Sequence, residues 1–339
     1  MVDAAAPAVI AAIPTLNEAD HIADVLTALM DGDPIAAICP VVVADGGSTD
    51  GTQAIVRNLS VRYPNLRLIN NPGRIQAAAL NLFLAPNYDG YDILVRCDAH
   101  AAYPPGYVSA LVSSLDASGA ASVVVPMDAV ALQGCFQRGL TWIADSKLGA
   151  GGSPHRGGVR SHFVEHGHHA AFRMDVFRAL GGYDTGFAAN EDAEYDRRVI
   201  AAGHRIWLDA DIRIGYFPRS TAPGLWRQYF KYGAGRARTC RKHAVRPAPR
   251  QMIPVFHTLL VVVAILALPW TRLPLLWPLL YLVLVGAAAA SQALRHRSVC
   301  GLMGAPALAI MHLAWGLGFL SAIPRAVPRS PQVASDPAQ

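Results

Sequence analysis

The stretch Tyr91-Asp92-Ile93-Leu94-Val95-Arg96-Cys97-Asp98-Ala99-His100 decides how the rest of the chain is read. Tyr91 to Val95 is short, rich in branched apolar residues and flanked by turn formers, the pattern of a buried strand. A carboxylate and an imidazole follow at its carboxyl end, where open α/β sheets bind their ligands. Asp98 and His100 are two residues apart, so in extended chain both side chains leave on one face, close enough to share a divalent cation or a polar ligand. An Asp-x-His pair at a strand end also serves as an ordinary turn, so the reading depends on what other segments bring to it.

Upstream, the apolar run Ala8 to Ile13 stops at Pro14-Thr15-Leu16-Asn17-Glu18, after which Ile22, Val25, Leu26 and Leu29 recur at helical spacing. Val41 to Val43 repeats the pattern, ends in Asp45-Gly46-Gly47-Ser48-Thr49-Asp50-Gly51, and leads into a helical stretch through Leu59. Leu66 to Ile69 makes a third strand, Asn70 to Arg74 a turn and Ile75 to Leu84 a helix. Successive β-α units with polar strand ends predict an α/β domain with a mainly parallel, doubly wound sheet. Downstream, the pattern predicts a helix over Pro105 to Leu115, a strand over Ser122 to Val125, and helices over Met174 to Leu180 and Ala193 to Ala202. Gly149 to Gly158 is glycine-rich enough to be a mobile loop, either a linker or a cover over bound substrate. His166, His168 and His169 invite a metal centre, but no carboxylate or cysteine completes a recognisable ligand spacing around them.

The mean hydropathy of +0.27 is unevenly spread. From Met252 to Ile323 charge nearly vanishes, in apolar segments over Ile253 to Leu268, Leu273 to Leu294 and Leu302 to Ile323. The last two are long enough to cross about 30 Å of hydrocarbon and the first is marginal. Arg236, Arg238, Arg241, Lys242, Arg246 and Arg250 precede them, which by the positive-inside rule puts the large domain in the cytoplasm. Arg295 and Arg297 agree if the first two segments form a hairpin; the course of the third stays open. The net charge of +5 is thus explained beside a membrane, and nucleic acid is disfavoured as a partner. Met1 to Ile13 has no basic leader and reads as a first strand instead of a signal peptide. Cys39, Cys97, Cys135, Cys240 and Cys300 lack metal or disulfide spacing and read as reduced, mostly buried thiols. The expected organisation is a cytoplasmic catalytic domain over 1–222, a basic and aromatic interfacial segment over 223–251, two to three membrane helices over 252–325 and a disordered tail over 326–339. Oligomeric state is not legible.

Taken in order, Pro14 to Glu18, Asp45 to Gly51, Asp98-Ala99-His100 and Glu191-Asp192 resemble glycosyltransferase family 2 with its GT-A nucleotide-sugar-binding fold. The likeness extends over about residues 8 to 325. It is strongest to the membrane-anchored glucosyltransferases of bacterial succinoglycan synthesis, which share the Trp226-Arg227-Gln228-Tyr229-Phe230-Lys231-Tyr232-Gly233 stretch. The resemblance implies a multi-pass enzyme of a bacterial-type inner membrane. It implies a UDP-sugar donor, UDP-glucose foremost, and a polyprenyl-diphosphate-linked saccharide as acceptor. A polyprenyl-phosphate sugar synthase and a non-catalytic membrane-bound nucleotide-sugar sensor or scaffold stay open beside this reading.

By the same resemblance, Pro14, Thr15, Glu18, Asp45, Arg74 and Asp98 serve the nucleotide sugar. Asp98 and His100 hold Mn²⁺ or Mg²⁺, with His100 standing where the family more often has a second carboxylate. Imidazole suits manganese better than magnesium. Asp192 matches the base that deprotonates the acceptor hydroxyl, with Glu191 orienting that acceptor. No second carboxylate offers itself as a nucleophile for double displacement, so inversion is expected. Arg198, Gln228, Lys231 and Tyr232 are expected to meet diphosphate or acceptor. The last three outline the Gln-x-x-Arg-Trp motif of processive members, with Lys for Arg and Tyr for Trp, and this departure suggests one sugar added per encounter. A purely membrane-anchoring amphipathic helix is the plainer reading of that stretch.

Overall fold

The computed structural model describes residues 6–151 and 158–323. Most of the expected glycine-rich loop and all of the expected tail over 326–339 lie outside these residues. β1 (Val9–Thr15) is followed by α1 (Ile22–Asp31), β2 (Val41–Asp45) by α2 (Thr52–Arg62) and β3 (Leu66–Asn70) by α3 (Gln76–Asn81). β4 (Ile93–Arg96) leads through the short β5 (Ala101–Ala102) to α4 (Tyr107–Ser118). There follow β6 (Ser122–Val124), β7 (Met127–Ala129), α5 (Cys135–Ala144), α6 (Lys147–Ala150), β8 (His162–Val164) and β9 (His169–Arg173). α7 (Met174–Ala179) and α8 (Glu191–Ala201) precede β10 (Ile206–Leu208) and β11 (Ile214–Tyr216). Four long helices come last: α9 (Ala222–Lys242), α10 (Pro249–Leu266), α11 (Leu276–Arg295) and α12 (Gly304–Ala322).

The main sheet runs β3-β2-β1-β4-β9-β6-β10-β8, with β5-β11-β7 as a small second sheet. β1 pairs in parallel with β2 and β4, and β2 with β3, as the repeated strand-helix units require. β9 departs from that pattern and lies antiparallel between β4 and β6. Side chains alternate across β1: Val9, Ala11 and Ile13 join α1, α2 and α4 on one face, whereas Ile10 and Ala12 join α3, α7 and α8 on the other. Burial on both faces is why these strands read as unbroken apolar runs. On the second face Phe172, Phe177, Tyr183 and Tyr195 form a ring cluster with centroids 5.1 to 6.0 Å apart. Such pairs add about 0.5–1.5 kcal/mol each beyond area burial, and here they fix the place of the Tyr183 hydroxyl.

The expectation of five reduced thiols is corrected by a Cys135–Cys300 disulfide. It joins α5 to the short turn Val299–Met303 between α11 and α12, across 165 residues of sequence. Gly139 permits this approach, since a Cβ there would lie 2.3 Å from the Cys300 carbonyl oxygen. Cys39, Cys97 and Cys240 are free.

Three helical segments, Pro249–Leu266, Leu273–Arg295 and Val299–Ala322, are long and apolar enough to cross a membrane. They differ in how much protein covers them: 22% and 11% of the first two are buried, against 44% of the third. α12 is covered because it packs backbone to backbone on α9. A Cβ on Gly233 would meet the Trp315 carbonyl oxygen at 2.0 Å, and one on Gly318 the Phe230 carbonyl oxygen at 2.1 Å.

Candidate active site

β4 ends on Arg96, whose side chain is only 4% exposed and therefore needs partners. Its Nε donates to Asp98 Oδ1 at 3.2 Å and its Nη1 to Asp192 Oδ1 at 2.8 Å. One guanidinium thus joins the carboxylate after β4 to the one in the first turn of α8. The Tyr183 hydroxyl, set by the aromatic cluster, also donates to Asp192 Oδ1 at 2.5 Å. With Oδ1 so occupied, Oδ2 is the oxygen of Asp192 left to take a proton. α8 starts at Glu191, two residues earlier than the sequence pattern suggested, so Glu191 and Asp192 both sit at the positive end of its dipole. Asn190 caps that end in the left-handed region (φ 64°) and donates to the Tyr232 carbonyl at 2.8 Å, which ties α8 to α9.

Burial would raise the Asp98 carboxyl, but the charges of Arg96, His168 and His100 hold it well below the usual carboxylate range. His100 Nδ1 lies 2.9 Å from Glu18 Oε1. Burial opposes protonation of His100, and the bond to Glu18 outweighs it and raises the imidazole pKa. His168 Nε2 stands 3.4 Å from Asp98 Oδ2. The antiparallel register explains this encounter: Val95 faces Ala171, and continuing the count past the strand ends brings Asp98 opposite His168. Its neighbours go elsewhere, with His166 Nδ1 and His169 Nε2 each 2.5 Å from an oxygen of the buried Asp196. Among the described residues no three His, Cys, Asp or Glu side chains form a closed metal cage. An ionised Asp98 and a His100 fixed through Nδ1, with Nε2 left over, nevertheless fit a divalent cation, which these two side chains would hold.

The residues expected to serve the nucleotide gather around the ends of β1 and β2. Pro14 and Thr15 close β1, in register with Ala44 and Asp45. Asp45 Oδ2 accepts from Gly47 N at 2.9 Å, Ser48 N at 2.9 Å and Gln53 Nε2 at 2.6 Å. Burial would raise this carboxyl, and the bonds from Ser48, Gln53 and Gly47 bring it below its ordinary value. Arg74 is exposed with φ 60°, and its Cα lies 3.2 Å from where a Cβ on Gly46 would sit. Asp45 lines a separate cavity of about 440 Å³, and the Glu18–His100 contact joins the loop after β1 to the stretch after β4.

A cleft of about 1490 Å³ contains the Asp98 and Asp192 carboxylates. Asp98, His100, Glu191, Asp192, Gln228, Lys231 and Tyr232 all line it, whereas Arg198 does not. Arg198 is held by Glu194 at 2.7 Å and by the carbonyls of Leu180 at 2.6 Å and Gly182 at 2.7 Å. The expected diphosphate role of Arg198 is thereby corrected: it braces α8, and the neighbouring Arg197 faces the cleft instead. Gln228 Nε2 donates to the hydroxyls of Tyr216 at 3.1 Å and Tyr232 at 3.0 Å, so α9 presents an ordered polar stripe. Arg96, Tyr183 and Arg197 were not singled out by sequence reasoning, and His168 was read only as one of a histidine cluster.

Burial, reinforced by the Asp192 charge, pushes the Glu191 carboxyl up to about 7. Below that pH it is neutral and can donate to an acceptor hydroxyl; above it a second negative charge adjoins Asp192. The pH profile of kcat/KM is therefore expected to fall on an alkaline limb near 7, and Glu191→Gln, which donates at every pH, to flatten that limb. An unchanged limb in the variant would remove Glu191 from this role.

Comparison with known proteins agrees with this geometry. Residues 10–181 match Glycosyl transferase family 2. The chain is 44% identical over 313 residues to succinoglycan biosynthesis protein ExoA of Rhizobium meliloti (strain 1021), covering 91% of this chain and 92% of that protein. It is 22% identical over 253 residues to a Methanococcus voltae dolichyl N-acetyl-alpha-D-glucosaminyl phosphate 3-beta-D-2,3-diacetamido-2,3-dideoxy-beta-D-glucuronosyltransferase, covering 68% of this chain and 73% of that one. The fold is like that of mannosyltransferase PcManGT from Pyrobaculum calidifontis, solved with GDP-Man and Mn²⁺, at a TM-score of 0.53 and 22% identity over 91% of this chain and 87% of that one. A GT-A-type α/β sheet, the family match and extensive identity to ExoA lead to one conclusion: this chain belongs to glycosyltransferase family 2 and is an inverting glycosyltransferase.

Proposed function

We propose that the enzyme moves a hexose, glucose foremost, from a UDP-sugar to a polyprenyl-diphosphate-linked oligosaccharide during exopolysaccharide or cell-envelope glycan synthesis. One observation carries this reading: the cleft that holds Glu191 and Asp192 is also lined by Ile253, Pro254, Met311 and Trp315 of the apolar helices. A saccharide on a lipid carrier can reach the carboxylates along it without leaving the bilayer surface. The succinoglycan role in the name of the Rhizobium relative supports the pathway, and the dolichyl phosphate in that of the Methanococcus relative supports a lipid-linked acceptor. In this reading α10 and α11 form a spanning hairpin whose basic ends face the cytoplasm with the catalytic domain. α12, covered by α9, lies against the catalytic domain.

Asp192 Oδ2 takes the proton of the acceptor hydroxyl as that oxygen attacks the anomeric carbon. The bond to the diphosphate breaks on the opposite side, which inverts the centre. Arg96 and Tyr183 hold the base through Oδ1, and Glu191 orients the acceptor. Pro14, Thr15, Glu18, Asp45 and Arg74 form the nucleotide side. Asp98 and His100, with His168 beside them, would hold Mn²⁺ or Mg²⁺, whose chemistry there is to neutralise charge on the departing UDP, and the imidazoles favour manganese.

A donor screen in membranes containing the native acceptor, followed by linkage analysis of the product, tests the assignment. Transfer from UDP-hexoses supports it, and transfer confined to another nucleotide sugar would overturn the donor. His100→Ala is expected to weaken UDP binding in titration calorimetry with Mn²⁺ present and to leave metal-free binding unchanged. Equal affinities with the metal present would show that His100 is no ligand.

A further inference from the structure

Arg236 of α9 lines the cleft, yet among the described residues it makes no hydrogen bond or ion pair. Arg197 of α8 and Arg250 of α10 line the same region, and their charges act on it. The nearby Asp196 meets His166 and His169 through its two oxygens and makes no ion pair with Arg236, so it acts on Arg236 only at a distance. Burial depresses the Arg236 pKa; Cys240 and Asp196 oppose that effect, and Arg197 and Arg250 add to it. Converging guanidiniums that repel one another in a half-buried cleft are stabilised by an anion, and planar forks of donors match phosphate oxygens best.

Position selects which anion. Gln228, Tyr232 and Arg236 recur every four residues along α9 and line the cleft, and Arg236 follows Gly235, which packs on Ala189 and Asn190 at the head of α8. Eight residues of helix carry Arg236 roughly 12 Å beyond Gln228. Its neighbour Ala237 packs on Val255 in the second turn of α10, where the apolar segment begins. The donor's phosphates are assigned above to Asp98 and His100. A second phosphate-bearing group entering from the bilayer is what this end of the cleft fits.

We propose that Arg236, flanked by Arg197 and Arg250, forms a diphosphate-binding site at the membrane end of the cleft, which takes the phosphates of the lipid-linked acceptor. The assignment of the occupant rests on the acceptor reading above; the diphosphate chemistry of the site does not. Acceptor phosphates anchored there place the attached saccharide beside the head of α8, where Asp192 lies.

The test is titration of the full chain, in phosphatidylcholine nanodiscs, with farnesyl diphosphate. Wild type is expected to bind it, and Arg236→Gln to weaken binding about tenfold or more, the scale of a lost charge-assisted hydrogen bond. Arg236→Lys should recover part of the loss. UDP binding with Mn²⁺ in the same samples should stay unchanged, which shows that the variants are folded. Equal farnesyl diphosphate affinity in wild type and Arg236→Gln, or no binding by wild type, overturns the site. Nanodiscs doped with phosphatidylglycerol separate the two phosphate sources: undiminished binding supports a diphosphate site, and displacement by the headgroup lipid overturns it in favour of a headgroup contact. If Arg236→Gln weakens farnesyl diphosphate binding while native membranes yield only lipid monophosphate sugars, the site stands and the acceptor reading falls.

Discussion

Asp192→Asn is expected to lower sugar transfer by on the order of 10²–10⁴-fold, the range for a positioned general base, while UDP affinity by calorimetry stays at the wild-type value. The two readouts separate because Asp192 Oδ1 is occupied by Arg96 and Tyr183, whereas the nucleotide-side residues lie around β1 and β2. Asparagine keeps an oxygen for those donors and loses the capacity to take a proton. Unchanged turnover would refute the assignment of Asp192 as base. A loss of UDP affinity equal to the loss of rate would make its role one of donor binding.

Arg96→Met is expected to have the largest effect on stability. Removing one partner of a buried ion pair costs about 3–5 kcal/mol, because the remaining charge stays buried without compensation. Here two carboxylates, Asp98 and Asp192, lose the same partner. The pH dependence has a definite sign. Asp98 is depressed in the folded protein, so its interaction stabilises the fold above the unfolded carboxyl pKa of about 3.9 and is lost as pH falls through the lower folded value. Chemical denaturation should therefore show a gap between wild type and Arg96→Met that is full at neutral pH and narrows below about 4. A gap independent of pH would mean that packing of the arginine, and not its charge, supports the fold. Arg96→Lys should retain part of the stability but lose activity, since an ammonium is a point charge and cannot reproduce the forked reach to both carboxylates.

How legible these features were depends on how each side chain is buried. β1, β2 and β4 could be read because they are apolar on both faces, and the edge strand β3 because a helical repeat follows it. β8, β10 and β11 have three residues each and carry no usable period, and β9 opens on histidines that look like a ligand cluster. His168 meets Asp98 only through an antiparallel register, which local sequence does not encode. Arg96 ends an apolar run and reads as a strand terminus, so its two carboxylate partners, one 96 residues away, were invisible. The structural role of Arg198 did leave a signal, because Glu194 precedes it by four residues on the same helix. The 165-residue span of the disulfide left none.

Whether the carboxylate site acts on a saccharide carried by a lipid diphosphate is read most directly from the product. Membranes containing the enzyme and its native acceptor are incubated with radiolabelled UDP-glucose. The organic-soluble lipid is separated by thin-layer chromatography, and the saccharide freed by mild acid is sized. Label is expected in a diphosphate-linked lipid that releases an oligosaccharide one sugar longer than the acceptor. Label found only in a lipid monophosphate that releases a single free sugar would contradict it.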